Sequence, residues 1–275
     1  MSDNQSNTLE QLHSIELDLL KHFIEICDTW HIRYYVIGGT LLGAVRHGGF
    51  IPWDDDIDVA VPRDDYDRLI EVMHKEENKE IGILYYRDKP DLYFYPAKII
   101  SKKYRIQDVR MKDGYSYPWI DVLPIDGKPD GKVQGSLFKL HMDWYRLLLA
   151  FCYIDNLRDI DRSFAQRAMI RIGRLLRPGR WIDPAKIKDK VDKLLSSHKI
   201  EDCSWVGTCM GAYYFHEFVP KEYFGKGSKV MFCGLEVNAP EQVNPYLTHM
   251  YGDYMTPPEE QKRMARHVKI EQSSK

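Results

Sequence analysis

YYVIGGTLLGAVRHGGFIPWDDDIDVAVP, residues 34–62, is the stretch of this sequence around which the fold is organised. Its first four residues, Tyr34–Ile37, are aromatic or β-branched and predict a strand that ends at Gly38-Gly39. A helical turn is expected over Thr40–Arg46. Four aspartates then follow within five residues. They lead directly into the apolar run Val59–Val61, which predicts a second strand.

The four aspartates predict a cation site, because carboxylates this close repel one another unless a cation lies among them. On a strand, Asp56 and Asp58 point to one face while the apolar residues beside them point into the core. Two carboxylates so spaced suit a hard cation such as Mg²⁺. An EF-hand is disfavoured, since no glycine follows the run and Pro62 stands where the loop would continue. A non-catalytic cation site and a plain charged loop remain alternatives.

Composition excludes several classes of protein. The 275 residues are 44% hydrophobic and 29% charged with a formal net charge of −2, which predicts a globular fold and excludes a generally basic nucleic-acid binder. No nucleic-acid partner is expected. Five cysteines without a CxxC pair predict reduced thiols. Residues 1–12 lack an apolar signal core, and no apolar run reaches the ~18 residues of a spanning helix. A cytoplasmic location is therefore expected, with contact at the inner face of the cell membrane left open.

The other N-terminal elements predict an α/β (α+β) domain, a mixed sheet with flanking helices. Apolar residues at steps of three and four predict a helix from Leu9 to Trp30, with its histidines at the surface. A helix is also expected over Arg63–Glu77. Residues 9–130 are assigned to a catalytic core. Its remaining strands are expected in short β-branched and aromatic runs at Ile81–Tyr86, Tyr93–Ile100, Tyr104–Val109 and Pro118–Leu123.

Asp121 stands alone between two apolar residues in a strand that should be buried. An unpaired buried carboxylate is costly, so it needs a cation or a hydrogen-bond donor beside it. We expect it to join Asp56 and Asp58, although a cap or a salt bridge to an arginine would also satisfy it. Asp126, which precedes a glycine, is expected to be an ordinary turn residue.

Residues 131–275 are expected to form a mainly helical region that completes the core and provides the acceptor side. Lys128–Gly135 is predicted to be a linker. The segment Arg162–Arg180 is rich in arginine, and it is expected either to contact anionic lipid or to pack on the core with a solvated arginine face. The predicted elements are helices at Leu137–Phe151, Arg162–Leu176, Pro184–Ser196 and Pro240–Tyr251, and extended segments at Val206–Phe215 and Lys229–Val237.

Together these features indicate metal-dependent phosphoryl transfer. A Gly-Gly turn at a strand end, followed by a helix, offers backbone N–H groups to a phosphate. An Asp-x-Asp pair on the next strand and a third aspartate on a later strand suit in-line transfer with two divalent ions, which clamp the attacking and leaving oxygens. The Gly-Gly pair alone is weak evidence, whereas the ordered combination is specific.

The segment GGTLLGAVRHGGFIPWDDDIDV, residues 38–59, resembles the signature of the LicD family. The similarity continues at WIDVLPID (119–126) and recurs weakly at YFGKGSKVMFCGLEVNAP (223–240) and YLTHMYGDYMTPP (246–258). That family shares its domain with fukutin and fukutin-related protein and looks like a divergent nucleotidyltransferase fold. The resemblance implies transfer of phosphocholine from CDP-choline to a sugar hydroxyl of a lipid-linked glycopolymer precursor, teichoic acid or lipopolysaccharide, with CMP leaving.

The resemblance also implies roles for individual residues. Gly38 and Gly39 match the phosphate turn. Asp56 and Asp58 would hold Mg²⁺, or Mn²⁺, against the diphosphate, and two ions are expected. Asp121 would share a metal or accept the proton of the acceptor hydroxyl. The polar residues that follow the turn or border the expected cleft are further candidates for binding substrate: Thr40, Arg46, His47, Lys98 and Arg105.

Two of these candidates have an alternative role, since Arg46 and His47 could simply cap the end of their helix.

Choline presents a further requirement, because its quaternary ammonium forms no ordinary hydrogen bonds and is bound by aromatic faces. The aromatic residues near the site in sequence, each of which could equally belong to the core, are Trp53, Tyr93, Tyr95, Tyr115 and Trp119.

Rival functions remain open on the sequence. One is a nucleotidyltransferase that moves a nucleoside monophosphate onto a sugar, or a transferase of another phospho-alcohol such as ethanolamine or ribitol phosphate. Another is a non-enzymatic scaffold that binds a cation or lipid. The complete set of Asp56, Asp58 and Asp121 argues against the scaffold, because decay of an active site is expected to remove such residues first.

Overall fold

The computed structural model describes residues 3–108, 115–154, 170–175, 177–259 and 268–269. The elements of the first half of the chain alternate between helix and strand before a run of strands. They are α1 (Asp3–Trp30), β1 (Tyr35–Val36), α2 (Gly38–His47), β2 (Ile57–Pro62), α3 (Arg63–Glu76), β3 (Ile81–Leu84), β4 (Ala97–Ser101), β5 (Ile106–Asp108), β6 (Tyr115–Ser116) and β7 (Trp119–Lys128).

The second half contributes fewer and shorter strands. Its elements are α4 (Lys132–Cys152), α5 (Pro184–Leu195), β8 (Trp205–Gly207), β9 (Val219–Pro220), β10 (Ser228–Phe232), β11 (Leu235–Ala239), α6 (Val243–Tyr251) and β12 (Val268–Lys269). Short 3₁₀ turns, among them Pro178–Trp181 and Tyr214–Glu217, connect them. Within the described ranges, none of the helices combines the length and apolar character needed to cross a bilayer.

A seven-stranded mixed sheet forms the centre of the structure. Its main path runs β1-β2-β7-β4-β3, and β8 pairs with the far end of β7 and with β9. The pairing of β2 with β7 is parallel, whereas the other pairs are antiparallel. This arrangement confirms the α/β class and the mixed sheet expected from the sequence. The parallel pair matters most for function, because it places equivalent ends of two strands side by side.

Apolar residues from both halves of the chain share one core. Phe23 of α1 and Ile57 and Val59 of β2 are fully buried, as are Phe232 and Leu247 from the second half. Burial of the apolar face of α1 follows the periodicity seen in the sequence, whereas in β2 every residue except Asp58 is buried. The division of the chain near residue 130 stays a prediction.

Two expectations near that division are wrong. Strand β7 continues to Lys128, and α4 begins at Lys132, so the connection is much shorter than the predicted linker. Asp126 is a buried strand residue rather than a turn residue. Its carboxylate accepts two hydrogen bonds of 2.6 Å from the guanidinium of Arg63, whose planar fork matches both oxygens.

Several boundaries also differ from the prediction. The segment expected to be extended over Val206–Phe215 ends its strand at Gly207 and continues through turns. Lys229–Val237 is a hairpin, because Cys233 and Gly234 both adopt positive φ angles, 50° and 80°, between β10 and β11. The predicted helix at 162–176 lies mostly outside the described residues, of which 170–175 are helical.

Candidate metal and phosphate site

The parallel pairing of β2 and β7 brings three aspartates together. Asp58 is the register partner of Asp121, and Asp56 precedes β2 by one residue. One carboxylate oxygen from each of the three lies within 4.8 Å of the others. Because Ile57 and its apolar neighbours anchor the strand in the core, the carboxylates are held at the partly exposed edge. The group could hold a metal ion.

A second acidic group adjoins the first. Oxygens of Asp54, Asp55 and Asp56 also lie within 4.8 Å of one another, so Asp56 belongs to both groups. The loop that carries them is fixed by His13 of α1, whose Nε2 lies 2.8 Å from the carbonyl oxygen of Asp54. The His13 ring stacks on Phe50 at 3.9 Å between centroids. The expected surface position of His13 is therefore wrong.

The Gly-Gly turn is fitted closely against these acids. Gly38 has a φ of 56°, and a Cβ atom there would lie 2.7 Å from Oδ2 of Asp58. A Cβ atom on Gly39 would lie 2.2 Å from Oδ2 of Asp54. Only glycine fits both demands without displacement of a carboxylate. The same turn is tied to β2, since the Asp58 N–H donates to Thr40 Oγ1 at 2.8 Å.

Lys98 and Trp119 hold Asp121 from both sides. Lys98 of β4 is the register partner of Asp121, and its Nζ lies 2.5 Å from Oδ1. The indole N–H of Trp119 donates to Oδ2 at 2.8 Å. The Lys98 ammonium also lies 4.2 Å from the Trp119 ring centroid. The salt-bridge partner of Asp121 is therefore this lysine and not the arginine considered as an alternative. Trp119 positions the carboxylate rather than facing a ligand.

The donor set fits a divalent cation. Burial raises the pKa of Asp58 well above its ordinary value, and the negative charges of Asp56 and Asp121 add to that effect. Clustered carboxylates of this kind are stabilised by a bound cation, which reverses the local electrostatics. Carboxylate oxygens are the ligands that Mg²⁺ and Mn²⁺ favour. The residues present therefore fit the divalent metal that the sequence predicts.

The remaining predicted site residues differ in their placement. Arg46 is half-buried and donates through Nη1 to the Tyr254 carbonyl at 2.8 Å. His47 is exposed with its ring beside that of Trp53, 6.1 Å between centroids. Burial and the adjacent Arg46 lower the pKa of His47, so its imidazole is neutral at pH 7 and adds little positive charge.

Two candidates belong to other parts of the structure, Tyr95 to a buried hydrogen-bond network and Arg105 to the approach to a second sheet. Tyr95 is buried, and its hydroxyl donates to Asp192 at 2.5 Å within the Arg63 network, so it presents no aromatic face to a ligand. Arg105 is exposed just before β5, which pairs with β6 and β12 in a separate sheet. Arg105 therefore lies outside the strand that was expected to carry it, and its role in binding substrate stays a prediction. Tyr115 begins β6 in the same separate sheet.

Sequence reasoning missed three groups near the site. Glu16 of α1 is fully buried, and its position on the apolar face of that helix was a signal that could have revealed it. Glu217 is buried behind Thr208, which donates to its carboxylate, and burial raises its pKa to about 7. Tyr251 lies close enough to Asp58 for that charge to contribute to a pKa raised mainly by burial. No sequence signal marked the last two.

Comparison with known proteins finds similarity over the part of the chain that carries these residues. Residues 31–152 match the model described as LicD/FKTN/FKRP, nucleotidyltransferase domain. The chain is 29% identical to the lipopolysaccharide cholinephosphotransferase LicD of Haemophilus influenzae over 265 residues, 95% of this chain and 96% of that protein. An uncharacterized protein of Rickettsia typhi is 24% identical over 68% of this chain and 64% of its own length. Human ribitol 5-phosphate transferase FKRP is 40% identical over 45 residues, 16% of this chain and 9% of that protein.

Proposed function

We propose, from the premise that residues 31–152 form a LicD/FKTN/FKRP nucleotidyltransferase domain, that this chain transfers phosphocholine from CDP-choline to a sugar hydroxyl of a lipid-linked glycopolymer precursor. The observation that carries the proposal is the convergence of Asp56, Asp58 and Asp121 beside the start of α2. Similarity along nearly the whole chain to a cholinephosphotransferase supports phosphocholine as the transferred group. A lipopolysaccharide or teichoic acid precursor is the proposed acceptor.

The reaction is an in-line displacement at phosphorus. The acceptor hydroxyl oxygen bonds to the phosphorus that bears choline, the bond from that phosphorus to the bridging oxygen breaks, CMP leaves, and the hydroxyl proton is released. A divalent cation held by Asp56, Asp58 and Asp121 would withdraw negative charge from the diphosphate oxygens. Ordinary nucleotidyltransferases direct attack to the other phosphorus, so the orientation of the donor decides which group moves.

The chain's own residues contribute orientation and charge. The N-terminus of α2 provides a positive dipole end to a phosphate beside Gly39. The Gly38 backbone is hydrogen-bonded to the Tyr246 hydroxyl, which leaves the following amides of that helix for a ligand. Because Lys98 and Trp119 already fix both oxygens of Asp121, we assign that residue to charge and ligand orientation rather than to proton acceptance.

The choline group needs aromatic faces, and these come from the second half of the chain. Tyr213 is exposed, and its ring meets that of Tyr251 edge to face at 5.9 Å. Tyr251 in turn lies near Asp58 and Asp54. We assign the quaternary ammonium to this Tyr213–Tyr251 pair, with half-buried Trp53, next to the acidic loop in sequence, as a third candidate.

A lipid-linked acceptor would require approach to a membrane. An apolar and basic surface, here called the α4 surface, suits peripheral contact: exposed Leu137, Leu140 and Trp144 lie along one side of α4, and Trp181 is 91% exposed. The turn that carries Trp181 packs on the end of α4, since a Cβ on Gly179 would lie 2.3 Å from the Phe151 carbonyl oxygen. Exposed or half-buried arginines flank it at 171, 174, 177 and 180. Trp, Leu and Arg together favour the interface of an anionic bilayer.

Transfer of label tests the proposal. The full chain is incubated with Mg²⁺, a lipopolysaccharide or teichoic acid precursor, and CDP-choline labelled either in choline or in cytidine. Choline label in the polymer together with free CMP is the expected result. Cytidine label in the polymer would instead establish nucleotidyl transfer. Transfer from CDP-ethanolamine or CDP-ribitol but not from CDP-choline would establish another phospho-alcohol, and no transfer from any donor would favour the scaffold.

A further inference from the structure

Glu16 is a buried carboxylate without a partner. It lies in the fourth turn of α1 with none of its surface exposed, and neither Oε1 nor Oε2 has a hydrogen-bond partner among the residues that the structure describes. A carboxyl group in this position is costly whether it is charged or neutral, because both oxygens have lost their water. The predicted phosphoryl chemistry does not use this residue, so its presence on a packed helix face needs another explanation.

The surroundings of Glu16 are acidic. It shares a face of α1 with His13, which precedes it by about one helical turn. His13 contacts the backbone of Asp54. The charged groups that face it are Asp56, Asp55, Asp54 and Asp121, in decreasing order of their electrostatic effect on Glu16. Burial and these charges all act in the same direction, against ionisation of Glu16. An apolar or amide side chain would fit such a place at lower cost unless a cation is bound there.

The two acidic groups already described offer a place for that cation. Asp56, Asp58 and Asp121 form one group and Asp54, Asp55 and Asp56 form the other, with Asp56 common to both. Asp55 is itself buried. Both groups adjoin the Gly-Gly turn, since Gly38 approaches Asp58 and Gly39 approaches Asp54. The loop that carries the second group also contacts α1 through His13. Glu16, on the same face of α1 as His13, therefore approaches the acidic loop from that helix.

We propose that Glu16 supplies a carboxylate oxygen to a second divalent cation, which the Asp54–Asp56 loop holds and which shares Asp56 with the first. The ligand class is a hard cation, Mg²⁺ or Mn²⁺, bound entirely through oxygen. The inference rests on the proposed function in one respect, since both require a cation at Asp56. It adds a residue from α1, outside residues 31–152 that match the family domain.

Binding of Mn²⁺ alone tests this assignment without a need for activity. The full chain is stripped with EDTA, exchanged into metal-free buffer and titrated with Mn²⁺, and the free ion is followed by its electron paramagnetic resonance signal. Wild type is expected to bind two equivalents and Glu16→Gln one. Glu25→Gln, an exposed glutamate on the same helix, is the matched control and should bind two. Equal stoichiometry in wild type and Glu16→Gln would overturn the inference.

The same titration separates this inference from the proposed function. If neither protein binds Mn²⁺, the metal mechanism fails as well. If both bind one equivalent, the first site stands and only the role of Glu16 fails. Glu16→Asp, which keeps the charge but shortens the side chain by one methylene, is the second variant. It should retain two sites with the second weakened by about tenfold or more, and unchanged affinity at both sites would count against direct ligation.

Thermal unfolding distinguishes ligation from a packing role. In EDTA, Glu16→Gln should unfold at the same temperature as wild type or at a higher one, because it removes a buried carboxyl from an acidic environment. Saturating Mn²⁺ should raise the unfolding temperature of wild type more than that of the variant, because a ligand that binds only the folded state raises its stability. A Glu16→Gln protein that is less stable than wild type by the same amount in both buffers would indicate packing alone and would overturn the proposal.

Discussion

Asp58 and Asp121 are register partners on the parallel strands β2 and β7, and they lie side by side although 62 intervening residues separate them in the chain. Parallel pairing requires a crossover, here through α3 and strands β3 to β6, before the chain returns beside β2. The two carboxylates repel each other in the absence of a cation. The site is therefore built at a cost in stability that metal binding is expected to offset.

The contribution of the Lys98–Asp121 pair to the free energy of unfolding should differ with and without metal. Lys98→Met leaves a largely buried carboxylate unpaired, which lowers the free energy of unfolding by about 3–5 kcal/mol in EDTA. Mg²⁺ should restore part of that loss, because the ion supplies positive charge beside Asp121. Urea denaturation in EDTA and in Mg²⁺ measures both values. Lys102→Met, which breaks a more exposed pair with Glu77, is the control and should cost about 0–1 kcal/mol. An identical loss for Lys98→Met in both buffers would contradict the placement of the ion.

Glu217 should make stability depend on pH. Its folded-state pKa of about 7 exceeds the ordinary value of 4.5 because of burial, so the folded state keeps a proton that the unfolded state has lost. The free energy of unfolding therefore falls as the pH rises from 4.5 to 7, by about 3 kcal/mol in total, and stays low above pH 7. Glu217→Gln should match wild type near pH 4.5 and be more stable at pH 8.

Thermal denaturation at several pH values checks this prediction. The exposed residue Glu222 offers a matched control, since Glu222→Gln should follow the wild-type curve. A Glu217→Gln protein whose stability differs from that of wild type by the same amount at pH 5 and pH 8 would show that Glu217 does not titrate in this range.

The Arg63–Asp126 pair should be structural and independent of metal. Asp126→Asn removes the partner of a buried guanidinium, so we expect a loss of about 3–5 kcal/mol in the free energy of unfolding. The other partners of Arg63 are Asp192 and Tyr95, and neither belongs to the acidic groups of the site, so the loss should be equal in EDTA and Mg²⁺. The control is Asp189→Asn, which breaks a more exposed pair with Arg87 and should lower the free energy of unfolding by about 0–1 kcal/mol. Rescue of Asp126→Asn by Mg²⁺ would instead connect this network to the metal site.

The α4 surface should bind anionic vesicles. Each arginine near the bilayer contributes roughly 1 kcal/mol, so Arg174→Gln should weaken flotation with phosphatidylserine vesicles about fivefold, and added salt should weaken it further. Trp181→Ser should also reduce binding. Trp30→Ser, at a less exposed tryptophan on α1, is the control. Binding that is unchanged by salt, by Arg174→Gln and by Trp181→Ser would exclude this surface, as would the absence of binding by wild type.

The sequence was sufficient for the parts of the site that depend on local pattern. The strand, Gly-Gly turn, helix and Asp-x-Asp strand follow from periodicity within residues 34–62. Asp121 could be linked to Asp56 and Asp58 because a single carboxylate in an apolar strand demands a partner. The register that pairs Asp58 with Asp121 was not readable, since it depends on the packing of several strands.

Other residues could not be placed because their environment is set by distant contacts. Tyr95 and Trp119 are aromatic residues close to the site in sequence, yet the packing of β4, β7 and α5 buries both. Asp126 resembles a turn residue until Arg63 is brought beside it from 63 positions away. The β10–β11 hairpin was missed because one of its two turn residues is Cys233, a residue type that rarely adopts positive φ.

The most direct test of the central claim is the affinity of the full chain for CDP-choline, measured by titration calorimetry in Mg²⁺ and in EDTA. Wild type and Asp143→Asn, an exposed control on α4, should bind the donor in Mg²⁺. Removal of the ion, or Asp58→Asn in a protein that remains folded, should weaken binding by at least about 100-fold. Equal affinity in all four conditions would contradict the claim that the three aspartates bind a cation against the donor's diphosphate.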